Sequence, residues 1–182
     1  MKRWAMALVL VAASLLIGSP VLAQPATSSF GFNGTVSGFP TGEVRITGGG
    51  AYDIDSGFVN SAGGFRCLSE VAQGPLSQAS HGDAHCLAGQ GVRWDTVRLV
   101  TEPETITFKC TGAAAEEAKT ATTTDKTAVL EADFYRAGDA NDESFTAFMI
   151  VSDTDIADDI AGVQNLWIQG VGCGTGIVHF RH

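Results

Sequence analysis

Apolar and polar positions alternate in several short runs of this chain, as where Val92, Trp94 and Thr96 are set against Arg93, Asp95 and Val97. Alternation with period two puts successive side chains on opposite faces of a strand, one face buried and one wet. Runs rich in Val, Ile, Phe, Thr, Tyr and Trp predict strands over 30–37, 42–52, 58–67, 91–100, 105–110, 128–136, 144–151, 163–170 and 176–180. Long stretches with helical apolar spacing are missing. The expected fold class is therefore all-β, an antiparallel barrel or sandwich of about eight or nine strands.

Turn chemistry separates the runs, including Phe39-Pro40-Thr41-Gly42, Asp53-Ile54-Asp55-Ser56-Gly57 and Gly138-Asp139-Ala140-Asn141-Asp142. Such residues supply positive φ or bond to their own backbone, and so punctuate strands as hairpin loops. Gly48-Gly49-Gly50 and Gly63-Gly64 fall inside strands, where they permit bulges and sharp curvature. That favours a closed or partly closed barrel over a flat sandwich. Two stretches depart from the pattern and predict one or two short helices: 113–119, with helix-forming Ala, Glu and Lys, and 153–161, with Ser152 or Asp153 as N-cap.

The N-terminus changes the picture of where this domain works. Lys2 and Arg3 precede an apolar run from Trp4 to Ile17, then Gly18-Ser19-Pro20 and Val21-Leu22-Ala23. This is the order of a secretory signal peptide, and Gly18 and Pro20 interrupt the run before the ~20 apolar residues that a membrane span needs. The expected organisation is a signal peptide over 1–23, a flexible leader over 24–29 and a single β domain over 30–182, with no membrane span after cleavage. Cleavage removes two of eleven Lys and Arg and none of twenty Asp and Glu, leaving a net charge of about −11. Such a surface repels nucleic-acid phosphates and anionic lipid, so no nucleic-acid partner is expected.

All four cysteines, Cys67, Cys86, Cys110 and Cys173, lie beyond the leader. An even number in an oxidising compartment implies two disulfides. Three pairings are open; Cys67 with Cys86 and Cys110 with Cys173 are favoured. Zinc is the rival use, but no C-x-x-C pair is present.

Candidate chemistry is sparse. His81, Asp83 and His85 stand within five residues and are suitable ligands for a transition metal, although a further protein ligand is not identifiable. Asp139, Asn141, Asp142, Glu143, Asp153 and Asp155 are dense in oxygen ligands that suit calcium, the one cofactor suggested; Ser144 and Ile150, however, replace the glycine and glutamate of a calcium loop. Asp95, Glu131, Asp133 and His179 fall in strand candidates and are the residues to consider for acid–base work in a barrel cavity. Parity alone leaves their faces open: if Val129 and Glu131 share a face with Asp133, that face is wet and Leu130, Ala132 and Phe134 make the core face; by the same count His179 falls opposite Val178 and Phe180 and points outward on a final edge strand. No G-x-S-x-G elbow, phosphate-cradling loop or dinucleotide fingerprint occurs. Asn33-Gly34-Thr35 matches the glycosylation sequon. The aromatic residues are read first as core.

The segments Phe30-Gly31-Phe32-Asn33-Gly34-Thr35, Gly42 to Asp53 and Val163 to Gly174 resemble parts of small exported bacterial proteins of unassigned activity. The resemblance implies a bacterial, extracytoplasmic protein and supplies no catalytic residue. The leading expectation is a secreted, non-catalytic β domain that binds a small apolar molecule in a barrel cavity or meets a cell-surface protein or glycan. The alternatives are a cavity enzyme of isomerase, cyclase or lyase type using a buried carboxylate or histidine, and a calcium-stabilised adhesion module. Convergent polar groups inside a barrel would favour the enzyme, whereas a filled apolar interior would leave surface binding.

Overall fold

A computed structural model describes residues 27–38, 42–71, 86–135 and 145–182. Three long strands, β1 (Ser28–Gly38), β2 (Glu43–Asp53) and β3 (Phe58–Ser69), are followed by β4 (Gly91–Leu99). Two short strands, β5 (Ile106–Phe108) and β6 (Lys119–Ala121), precede β7 (Thr127–Tyr135), β8 (Phe145–Ser152), β9 (Leu166–Ile168) and β10 (Gly172–Arg181). Eight of them close into an antiparallel barrel in the order β1-β10-β9-β8-β7-β4-β3-β2, and β5 and β6 form a separate two-stranded sheet. β1 begins two residues before the expected strand start, with Ser28 and Ser29 paired to Tyr52 and Ala51 of β2.

Glycine placement explains how so narrow a barrel closes over large side chains. Gly48 and Gly63 face each other across β2 and β3. A Cβ on Gly48 would lie 2.2 Å from Trp94 Cζ2. The fully buried Trp94 occupies that space, and its indole nitrogen donates to Thr47 O at 3.3 Å. Gly34 and Gly176 leave room for Leu166 in the same way, since a Cβ on either would approach Leu166 Cδ1 within 2.4 and 2.6 Å. The rest of the bore is filled by Phe30, Phe32, Tyr52, Phe65, Phe134 and their aliphatic neighbours. Phe30 packs against Phe32, Tyr52 and Phe180, and Phe65 meets Phe134 edge-on at 5.6 Å.

One wall of the barrel is buried on both faces, contrary to the expected single wet face. Leu130, Met149 and Leu166 point into the bore, whereas Val129, Ile150 and Trp167 point outward into a second core with Val100, Ile106, Phe108 and Cys110. The excursion between β4 and β7 supplies these covering residues, and β5 with β6 lies over the wall as a lid. Each such side chain removed from water contributes about 1.5–3 kcal/mol. Trp167 Nε1 donates to Lys109 O at 2.9 Å, and the Cys110–Cys173 disulfide fastens the lid to β10. The second disulfide joins Cys67 to Cys86.

The short helices expected over 113–119 and 153–161 do not form. Glu116 turns its carboxylate back onto the amides of Cys110, Thr111 and Gly112, and the chain enters β6 at Lys119. In the second stretch Asp155 Oδ1 accepts from the amides of Ala157 and Gln164, and Ser152 Oγ accepts from Thr154 N. These local side-chain bonds offer the backbone an alternative to helical pairing.

Candidate binding groove

The outer wall of the barrel carries a row of four side chains, three on β4, β7 and β8 and the fourth just past the end of β9. A register shift between Thr96 and Arg98 sets Arg98 opposite Glu131, and Glu131 in turn opposite Phe148. Gln169 extends the row: its amide donates to Phe148 O at 2.9 Å, and its side-chain Oε1 accepts from Phe148 N at 3.0 Å. β5 runs alongside this row, crosswise to the barrel strands. At one end of this segment Glu104 meets Arg98; at the other, Lys109 and Cys110 are tied to Trp167 and Cys173.

A concavity of about 660 Å³ lies between the two banks. Residues 104–109 line one bank, Phe148 and Gln169 the other, and Phe108 and Trp167, with ring centroids 5.4 Å apart, form the floor. That size is within the range of small-molecule sites, and an aromatic floor with a polar rim is their usual composition.

Electrostatics at the β4 end are closed on themselves. Arg98 donates to both oxygens of Glu104, at 2.7 and 2.9 Å, and from Nε to Glu131. Its guanidinium carbon also sits 5.9 Å from the Phe148 ring centroid. Hydrogen bonding to Glu104, then to Glu131, raises the guanidinium's pKa further. The Arg98 contact lowers that of Glu104. Two carboxylates against one cation leave this end with an excess negative charge.

The residues singled out for acid–base work stand on the outside of the barrel. Glu131 belongs to the row just described; Asp95 and Asp133 oppose one another on the outer face, with the Tyr135 hydroxyl donating to Asp95. Burial and this bond raise the Tyr135 pKa, the Asp95 bond being the larger cause. His179 is exposed on the outer face of β10. Inside the bore, the Ser61 and Thr96 hydroxyls bond to each other.

His81, Asp83 and His85, and Asp139, Asn141, Asp142 and Glu143, lie outside the described residues. Asp153 and Asp155 are exposed, and Asp155 is engaged by backbone amides. Among the described residues no group of three or more His, Cys, Asp or Glu is placed to hold a metal ion. No helix among them is long and apolar enough to cross a membrane.

The groove escaped the sequence because its banks come from four separated segments. One signal was available: Leu166-Trp167-Ile168 is an unbroken apolar run, and all three residues are buried. Such a run marks a strand covered on both faces. No family model matches the chain, and neither a curated protein nor a solved structure matches it.

Proposed function

We propose that this is an exported, non-catalytic binding domain that holds a mainly apolar ligand in the groove between β5 and the barrel wall, not in the barrel's bore. One observation carries the reading: the bore is packed with the protein's own aromatic side chains, while an apolar-floored concavity of ligand size stands on the outer wall. Arg98, Glu104 and Glu131 beside the groove are paired with one another, and Lys109 Nζ donates to Ala113 O at 3.2 Å, which favours binding over proton transfer. Two disulfides accord with the extracytoplasmic setting that the N-terminal leader implies.

N-phenylnaphthylamine, an uncharged apolar fluorophore, tests this directly. Its emission should rise on binding, and energy transfer should quench Trp167. Ala118 lines the groove from the exposed side, so Ala118→Trp should block binding, whereas Ala62→Trp, on the exposed face of β3, should not. Equal binding by the Ala118 variant would refute the placement.

A further inference from the structure

We infer that the ligand of this groove is an extended peptide, added as a third strand to the free edge of β5; the inference rests on the groove reading above. β5 pairs with β6 at Ile106–Ala121, Thr107–Thr120 and Phe108–Lys119, and among the described residues it pairs with no other strand. Six consecutive residues, 104–109, border the groove. Ile106 and Phe108 are buried beneath the lid and Thr107 is exposed above it. A groove lined by both kinds at once is bordered by the backbone edge of the strand. Lys109 O already accepts from Trp167 Nε1, so the edge offers its amides and carbonyls up to Phe108 to another extended chain.

The opposite bank fits the same occupant. Arg98, Glu131 and Phe148 stand on three neighbouring strands and Gln169 just past the end of β9, so the row spans about three inter-strand spacings of ~4.8 Å, roughly 14 Å, of which Phe148 and Gln169 line the concavity itself. A peptide lying along this row drops alternate side chains onto Phe148 and Trp167 and turns the others to water. The excess carboxylate at Glu104 and Glu131 favours a cationic side chain of the peptide at that end, while Lys109 lines the other end. The partner is thus an extended segment, apolar at alternate positions, with a cationic side chain at its Glu104 end.

The test uses a blocked peptide of alternating valine and threonine with a lysine at one end, titrated against the disulfide-bonded protein with Trp167 emission as readout. Two further peptides carry N-methyl groups on alternate amides, one on the odd set and one on the even set. Strand addition uses the amides of one set only, so one methylated peptide should lose at least about tenfold in affinity and the other should keep it. Phe148→Ala should weaken the parent peptide, and the peptide should slow amide hydrogen exchange within residues 105–108. Equal affinity of both methylated peptides, or equal loss, would overturn strand addition. If N-phenylnaphthylamine binds in the groove but the peptide fails at millimolar concentration, the peptide inference falls and the groove reading stands. If neither binds, both fall.

Discussion

Replacing Glu116 by glutamine should loosen the lid in a way that pH makes visible. The Glu116 carboxylate accepts from Cys110 N at 2.5 Å, Thr111 N at 2.8 Å, the Thr111 hydroxyl at 2.6 Å and Gly112 N at 3.0 Å, with Lys119 Nζ at 3.7 Å. Burial opposes ionisation, but the Thr111 hydroxyl, the Cys110 and Thr111 amides and the Lys119 charge together outweigh it. They hold the pKa at about 2, against an ordinary value of 4.5. The side chain is 6% exposed, but the lid around it is thin and its bonds to Thr111 lie at the surface, so solvent screens part of this. Discounted for that screening, the gap corresponds to on the order of 1–2 kcal/mol. Because the native pKa lies below the unfolded one, the contribution is fully present above pH ~4.5. Between that value and pH ~2 the unfolded chain takes up a proton that the native lid refuses, and the stabilisation is lost. Glu116→Gln keeps the shape and loses the charge, at a cost of about 1–2 kcal/mol near neutrality, or roughly 2–8 °C in Tm for a domain of this size. Thermal unfolding of both proteins across pH 2–7 measures it. The difference between them should shrink toward zero as pH falls. A difference that stays constant with pH, or that is missing at pH 7, refutes the assignment.

Gly48→Ala should cost more than about 2 kcal/mol by denaturant titration, because its Cβ would overlap Trp94 and lie 2.9 Å from Ala62 O, whereas Gly31→Ala, with its nearest contact at 4.0 Å, should be nearly neutral. Similar costs for the two would show that the bore tolerates added volume. By chain entropy, removing the Cys110–Cys173 bridge, which spans 63 residues, should cost about 4 kcal/mol, and removing Cys67–Cys86, which spans 19, about 3 kcal/mol. Only the Cys110–Cys173 loss should also weaken fluorophore binding, and equal effects on binding would separate the lid from the groove. Tyr52, buried and donating to Thr124 O and Asp125 O at 3.1 and 3.2 Å, has its phenol pushed up to about 12, chiefly by burial. The native state thus keeps a proton that the unfolded chain releases, so stability should fall between pH ~10 and ~12, with tyrosinate absorbance from Tyr52 appearing only on unfolding; a phenol titrating at pH 10 in folded protein would contradict it.

The barrel was legible because its determinants are local and periodic. Trp94 between Arg93 and Asp95, and Phe134 between Asp133 and Tyr135, declare their faces through nearest neighbours, and the strand glycines marked where curvature and space were needed. The lid was not legible in the same way. The composition of 113–119 is that of a helix, and it is overruled by one carboxylate whose donors lie four to six residues upstream. β6 is only Lys119, Thr120 and Ala121, too short for alternation to show. Glu131 and Asp133 share a face with Val129, and alternation alone extended the wet side to all three. It cannot report that a segment some twenty residues away returns to cover one of them. The chemistry of the groove depends on that return, since Glu104 and Phe108 reach Arg98 and Trp167 only once the lid is laid down.

The two cores share one wall, and this determines how firmly the groove is held. Val129 and Leu130 are consecutive residues of β7, one packed under the lid and one in the bore, and Met149 with Ile150 repeats the arrangement on β8. A displacement of either strand is therefore resisted from both sides. The opposite bank is held at both ends, by the bidentate Arg98–Glu104 pair and by the Cys110–Cys173 disulfide with the Trp167–Lys109 hydrogen bond beside it. An exposed ion pair alone contributes little. Together with a covalent link and a buried apolar seam, however, it fixes the spacing of the banks before any ligand arrives. A partner then orders itself and not the site, so more of its contact energy survives as affinity.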